Sequence, residues 1–408
     1  MKTLILKEVK QMRLSNRIND MQFSPIRKLG PYATKAKESG KRVLGLNIGQ
    51  PDIETPQLFF DAIRNYDVNV LKYSDSRGET ILLDSFIHYY KDLGIEFNHE
   101  NLIITNGGSE ALYFTLFALC DPGDEVIIPE PFYTNYNSFV DMAGCTVKSF
   151  ATNIETGFHL PDKEKIVEQI TDRTKAILIS NPSNPTGVVY TKEEVLLLVE
   201  ICMEHNLYFI SDEVYREFIY DGLEFFSPLS IEEFSDKVIL IDSISKRYSA
   251  CGARIGLVAS KNTEVINSIL KLSQARLCVP TLEQVGAAAL YNTPREYFVK
   301  VNKEYSTRRD VLFEGLSGIS GIKLKKPEGA FYIICGFPVE SAEDFCKWIL
   351  EEYSYEGVTV MMAPAEGFYA TQGLGVHEVR LSYCINVEDL KLAVKIIELA
   401  LVEYAKAH

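Results

Sequence analysis

The stretch Ala176-Ile177-Leu178-Ile179-Ser180-Asn181-Pro182-Ser183-Asn184-Pro185-Thr186-Gly187 decides the fold. Four apolar residues in succession bury both faces of a strand, as a parallel sheet covered by helices requires. A polar loop stiffened by two Asn-Pro steps follows at once, so the chain leaves the sheet at the kind of edge where ligands bind. The same pattern recurs at Leu102-Ile103-Ile104, Val126-Ile127-Ile128, Tyr208-Phe209-Ile210, Val238-Ile239-Leu240-Ile241 and Gly256-Leu257-Val258-Ala259. Longer stretches of helical spacing separate these runs from about 55 to 290, and strand alternating with helix is the signature of a mostly parallel α/β sheet.

Outside that region the pattern changes. Residues 1 to about 25 are mixed and helix-prone, and Pro31, Gly40 and Gly45 punctuate a segment leading to Leu46-Asn47-Ile48-Gly49-Gln50-Pro51-Asp52. Beyond Pro294 helical spacing runs to about 316 and carries the basic pair Arg308-Arg309. Phe331-Tyr332-Ile333-Ile334, Val358-Thr359-Val360 and Glu378-Val379-Arg380-Leu381 then predict strands of a second, smaller sheet, closed by a helix from 387 to the end. We expect an arm with part of the small domain over 1–56, a large domain over 57–298 and a small α+β domain over 299–408.

The chain has 408 residues, 46% of them hydrophobic and 24% charged, enough for a large core and too apolar for disorder. Its 42 Lys plus Arg against 56 Asp plus Glu give a formal charge of -14, which repels phosphate backbones and anionic lipids alike. Nucleic acid and membrane surfaces are therefore poor partners. The eight cysteines are scattered singly, with no Cys-x-x-Cys pair and no histidine at metal-ligand spacing, so we read reduced core thiols and no metal. Leu4-Ile5-Leu6 is too short for a signal-peptide core and no run of 18 apolar residues occurs, which places the chain in the cytoplasm.

The residues after each predicted strand are candidate pocket residues. After Ile103-Ile104 comes Thr105-Asn106-Gly107-Gly108-Ser109-Glu110-Ala111, a glycine turn entering a helix whose free amides and dipole suit an anion. After Tyr208-Phe209-Ile210 comes Ser211-Asp212-Glu213-Val214-Tyr215, a carboxylate at the strand end with a phenol three residues on. After Val238-Ile239-Leu240-Ile241 comes Asp242-Ser243-Ile244-Ser245-Lys246, with Arg254 and Gly256 shortly beyond. Together these ends offer an anion nest, two hydroxyls, a guanidinium, an amide, a phenol, a carboxylate and one lysine. A pyridoxal phosphate site needs such a set: a lysine for the Schiff base, an acid facing the pyridine nitrogen, a phosphate cradle and donors to the ring oxygen.

With those motifs in hand, the chain from about Ser24 onward resembles a fold-type I, class I/II aminotransferase of the aspartate aminotransferase superfamily. The resemblance rests on Gly49-Gln50-Pro51-Asp52, Tyr73-Ser74-Asp75-Ser76-Arg77-Gly78, Gly107-Gly108-Ser109-Glu110-Ala111, Pro131-Phe132-Tyr133, Asn184-Pro185-Thr186-Gly187, Asp212-Glu213-Val214-Tyr215, Ser243-Ile244-Ser245-Lys246 with Arg254-Ile255-Gly256, and Val379-Arg380-Leu381-Ser382. It implies pyridoxal 5'-phosphate as cofactor and a ping-pong transfer of an amino group from an L-amino acid to a 2-oxo acid such as 2-oxoglutarate. Lys246 would form the Schiff base and shuttle the proton, and Asp212 would pair with the pyridine nitrogen. Asn184 and Tyr215 would bond the ring oxygen, and Tyr133 would stack on the ring. Gly108, Ser109, Ser243, Ser245 and Arg254 would hold the phosphate. Arg380 would clamp the substrate α-carboxylate, assisted by Asn184 and the backbone at Gly49. Tyr73 would reach the phosphate of a neighbouring subunit, which implies a homodimer with shared active sites.

Side-chain specificity is less legible. Ser109 stands where one branch of acidic-substrate relatives has a lysine, and Arg276 lies close to where another branch borrows an arginine from its partner. Aspartate stays a candidate donor beside aromatic and medium-sized ones. A carbon-sulfur lyase or related synthase on the same scaffold stays open, as does a phosphate-binding α/β protein of another class. A regulator with an aminotransferase-like sensor would need a longer N-terminal region than the first 23 residues provide.

Overall fold

The computed structural model describes residues 14–408, so Leu4-Ile5-Leu6 lies outside the described residues. Strand β1 (Arg42–Gly45) belongs to the arm. The large sheet is built from β2 (Leu102–Thr105), β3 (Glu125–Glu130), β4 (Thr146–Ala151), β5 (Thr174–Ser180), β6 (Tyr208–Asp212), β7 (Val238–Ser243) and β8 (Gly256–Ala259), in the order β2-β8-β7-β6-β5-β3-β4. Only β8 runs against its neighbours; the other pairs are parallel. Ile177, Leu178 and Ile179 are fully buried, each contributing about 1.5–3 kcal/mol of burial. Helices on both faces account for that burial, and the carboxyl ends of β3, β5, β6 and β7 open on one edge.

The strand runs read from the sequence are all present, and in the large sheet one strand was missed. β4 sits at the sheet edge with only Phe150 buried, so its Thr, Lys and Ser residues give no apolar run to find.

The C-terminal part adds β9 (Lys323–Leu324), β10 (Tyr332–Gly336), β11 (Val358–Met361), β12 (Ala363–Pro364) and β13 (Glu378–Ser382). An antiparallel sheet runs β12-β13-β10-β9. β11 is not part of it, contrary to the expectation of one smaller sheet holding all three predicted strands; it pairs in parallel with β1 of the arm. The reason is reach: Leu46 N–H and Ser382 N–H continue the stitching from arm to β11 and from β13 to arm, so the arm occupies that strand edge. The helices Arg295–Ser317 and Val387–Ala407 cover this unit through Leu312, Leu316, Ile396, Ile397 and Ala400. Arg308 and Arg309 turn inward from the first of them. Arg308 donates to Asp52 at 2.6 Å and Arg309 holds Asp221 in a bidentate pair at 2.8 Å.

One histidine that belongs to none of the sequence motifs, His159, ties the two units together. His159 Nδ1 lies 2.9 Å from Glu194 and Nε2 lies 3.3 Å from Glu328. Glu194 completes the capping box of the helix Lys192–His205, and Glu328 accepts from Val189 N–H in the loop after β5. Hydrogen bonds donated to both carboxylates raise the His159 pKa from 6.5 to about 10, against the effect of burial. The imidazolium therefore contributes stability that is complete below about pH 6.5 and lost as pH rises through about 10. Replacing His159 by Gln is expected to lower the melting temperature at pH 7 by roughly 1–3 °C, with the gap to wild type closing as pH climbs to 10; a gap independent of pH would contradict the ion-pair explanation.

Candidate active site

The edge where β3, β5, β6 and β7 end collects the polar residues. The helix Gly108–Leu119 begins without a side-chain cap, its N-cap Gly107 at φ +76°. That helix end carries unsatisfied amides and a positive dipole. Arg254 lies against it: a Cβ placed on Gly107 would meet the Arg254 guanidinium at 2.3 Å. Gly256 brings β8 equally close, since its Cβ would fall 2.6 Å from Gly108 N. From the far side Ser243 caps the short helix Ile244–Arg247, its Oγ 2.7 Å from Ser245 Oγ and 2.9 Å from the carbonyl of Ile255. Arg254 has no acidic partner among the described residues. A guanidinium held at a helix N-terminus beside two hydroxyls is a seat for an anion, and the donor set fits a phosphate monoester.

Next to this nook stands Lys246, whose Nζ donates to the carbonyl of Gly49 at 2.7 Å. Burial opposes its charge, and the neighbouring Tyr332, Cys251 and Cys384 more than offset that, so its pKa lies above an ordinary lysine's. Asp212 is buried at the end of β6 and accepts from Tyr136 Oη at 2.7 Å and from Val214 N–H at 3.3 Å. Burial lifts its pKa to about 6, with those hydrogen bonds holding it from going further. No arginine or lysine pairs with it among the described residues, so a protonated ring nitrogen would find an acid without a competitor. Tyr133 presents its ring edge to Tyr136, centroids 5.5 Å apart.

Arg380 is 1% exposed and also lacks an acidic partner among the described residues. Nη1 donates to Asn184 Oδ1 at 3.0 Å, Nη2 donates to the carbonyl of Asn47, and Nε finds no partner. Its guanidinium lies 4.5 Å from the centroid of Tyr332 and 4.9 Å from that of Phe368. Burial depresses its pKa. An unpaired buried cation costs several kcal/mol until an anion arrives, which is the property a carboxylate clamp needs. Asn184 gives its oxygen to Arg380, and its amide N–H groups make no hydrogen bond among the described residues. Tyr215 Oη is 2.8 Å from Tyr332 Oη.

The structure thus assembles Lys246, Asp212, Asn184, Tyr215, Tyr133, Arg380 and Gly49 around one place, with Gly108, Ser109, Ser243, Ser245 and Arg254 at its end. Tyr73 is 81% exposed, while Ser74 beside it is anchored to Thr281 at 2.7 Å. Arg276 faces inward, donating to the carbonyl of Ile104 at 3.2 Å and lying 3.6 Å from Glu110. Sequence reading missed Tyr136, Tyr332, Asn47 and Phe368. Tyr332 and Phe368 sit among apolar neighbours and carry no polar signal, and Tyr136 resembles any core tyrosine until Asp212 is placed beside it.

Behind the site is a layer of buried ion pairs. Asp242 pairs with Arg247 and accepts from Tyr90 Oη. Glu213 lies 3.2 Å from Arg216 and accepts from Ser211 and Ser227. Each pair flanks a site residue in sequence, so the turn carrying Lys246 and the end of β6 carrying Asp212 are braced from below.

An anion seat, an acid with no basic partner among the described residues, a half-buried lysine and a buried, unpaired guanidinium suit a phosphorylated, carbonyl-bearing aromatic cofactor working on an α-amino acid. The profile of the family "Aminotransferase class I and II" matches residues 41–397. An aspartate aminotransferase of Bacillus subtilis is 33% identical over 400 residues, covering 94% of this chain and 98% of the relative. A probable aspartate aminotransferase of Methanocaldococcus jannaschii is 34% identical over 397 residues, covering 94% and 99%. An alanine aminotransferase structure from Pyrococcus furiosus superposes with a TM-score of 0.88 at 31% identity, covering 96% of this chain and 100% of that one. The chain belongs to the class I and II aminotransferase family and is a pyridoxal phosphate-dependent aminotransferase, which disfavours the lyase alternative.

Asp242→Asn leaves Arg247 buried without its counter-charge, and the expected loss is roughly 3–5 kcal/mol of stability. Urea denaturation of the variant checks this; a midpoint equal to wild type would show that the pair carries no such load.

Proposed function

We propose that Lys246, Asp212, Asn184, Tyr215, Tyr133 and Arg380 perform the amino transfer, with Gly108, Ser109, Ser243, Ser245 and Arg254 holding the cofactor phosphate. The observation that carries this is the pairing of a half-buried lysine with a buried arginine that has no acid of its own among the described residues, bridged by the Gly49 and Asn47 backbone. Pyridoxal phosphate, when bound, supplies the carbonyl that accepts the amino group and an electron sink for the carbanion. With it bound, Lys246 Nζ would be the base that takes the proton from the substrate Cα and holds it for return. Arg380 and the Asn184 amide fix the α-carboxylate so that the Cα–H bond faces that amine. Asp212 holds the ring nitrogen's proton, and Tyr136 and Val214 N–H keep the acid ionised against its burial. The second half of the cycle runs the same groups in reverse with a 2-oxo acid such as 2-oxoglutarate.

We propose further that the enzyme is a homodimer with Tyr73 completing the partner's phosphate site. Tyr73 stands with Val70 and Leu71 on an exposed apolar run, 66% and 57% exposed respectively, while the adjoining Ser74 is buried. The reading of the chain as an arm over 1–56, a large domain over 57–298 and a small domain over 299–408 is supported by the separate sheets, with Leu29, Leu44 and Leu46 of the arm packing on the small-domain core. A cytoplasmic location is supported by eight free cysteines. Among the described residues no helix is long and apolar enough to cross a membrane.

Aspartate is the donor we place first, because several relatives are named for it. The intrachain partners of Arg276 argue against that residue reaching a neighbouring site, and Ser109 brings no charge, so the side-chain carboxylate has no dedicated arginine or lysine in view. The deciding experiment is an absorbance spectrum with pyridoxal phosphate, then titration with an amino acid panel with and without 2-oxoglutarate. A donor-dependent loss of the visible band, restored by the keto acid, is expected. Lys246→Ala should abolish both the band and turnover, and Arg380→Leu should cut kcat/KM by about 10²- to 10³-fold; retained transamination in the lysine variant would sink the assignment.

A further inference from the structure

Tyr332 touches three functional groups at once, and none of the motifs includes it. It opens β10 directly opposite Ser382 of β13, so Arg380, two residues back along β13, lies on the same face at the diagonal position. The Arg380 guanidinium sits 4.5 Å from the Tyr332 ring centroid. The Tyr332 hydroxyl lies 2.8 Å from that of Tyr215. A Cβ at position 49 would fall 2.0 Å from the same hydroxyl oxygen, so Gly49 is a glycine because the phenol fills that space. Gly49 in turn holds Lys246 through its carbonyl.

We propose that Tyr332 is a positioning residue for amino transfer: its ring seats the carboxylate-binding guanidinium of Arg380, and its hydroxyl sets the direction in which the Tyr215 proton points. This rests on the reading of the Lys246 site given above. Two phenols 2.8 Å apart share one proton between them, so the other proton must point elsewhere. With Tyr332 as donor, Tyr215 accepts and keeps its own proton free for the ring oxygen of the cofactor. The reverse arrangement would leave Tyr215 with nothing to donate there. A donor chain of two phenols also polarises the second, so each hydrogen bond strengthens the next. The ring has a separate task. Arg380 has an unpartnered Nε and no acid among the described residues, so aromatic faces join the two neutral oxygens of Asn184 and Asn47 in keeping a desolvated guanidinium in place before the substrate arrives.

The two halves are separable by substitution. Tyr332→Phe keeps the face and removes the hydroxyl; Tyr332→Leu removes both. In the holoenzyme, Y332F should raise the pH midpoint of the cofactor's visible spectral transition by about half a unit or more, because a weaker donor to the ring oxygen favours its protonated form. It should lower kcat with KM nearly unchanged and bind an unreactive carboxylate such as succinate as wild type does. Y332L should show the same spectral shift and bind that carboxylate about tenfold more weakly by calorimetry. An unchanged spectral midpoint in Y332F, or unchanged succinate affinity in Y332L, overturns the proposal. Failure of the Lys246 assignment would show separately, as a wild-type protein with no visible band in the presence of pyridoxal phosphate; the succinate titration would then still test the seating of Arg380.

Discussion

A buried guanidinium with no acid beside it is the constraint on which the arrangement of the molecule depends. Arg380 draws its hydrogen bonds from the arm at Asn47 and from the large unit at Asn184, while its own strand, β13, belongs to the small sheet. Three segments distant in sequence must therefore meet at one atom cluster for the cation to be tolerated at all. Aromatic faces and neutral oxygens keep it in place and leave its charge uncancelled among the described residues, which is what the proposed role as a clamp for a substrate carboxylate requires.

The acids follow the opposite logic. Asp242 and Glu213 are each matched to an arginine, and both lie one layer below the site. Asp212, next to Glu213 at the end of β6, has no arginine partner among the described residues and a pKa of about 6. Structural charges are neutralised within the chain, and functional charges are left for ligands. Glu213 directly follows Asp212 at the end of β6, and Arg247 directly follows Lys246 in the helix Ile244–Arg247, where successive side chains point about 100° apart, so one member of each couple faces the pocket and the other the brace. Local chain geometry thus separates roles that composition alone would merge.

Much of this was legible before any coordinates. The fully buried strands announce themselves because both faces are apolar, and the residues that follow them are polar because a strand end at a ligand crevice cannot be sealed. Where that physics is diluted the reading failed. β4 is an edge strand with one buried residue, and β11 was grouped with β10 and β13 because strand patterns carry no information about which edge a strand will join. Arg308 and Arg309 looked like an ordinary basic pair on a helix, yet both are buried by their partners Asp52 and Asp221. His159 showed no cluster in sequence, since Glu194 and Glu328 reach it from 35 and 169 residues away.

By itself the sequence determined the class of sheet, the order of its strands' chemical endings and most of the polar groups that the fold gathers at one place. Those properties are local: burial on both faces, a glycine before a helix, a lysine after a strand. Only the tertiary structure decided that Tyr332 joins Tyr215 to Arg380, that Tyr136 tends Asp212, that Arg276 turns toward Glu110 and that Tyr73 is exposed. Those are relations between segments, set by which strand edges and helix faces pack together, and a hydroxyl or a ring in an apolar run carries no trace of its partner until the fold supplies it.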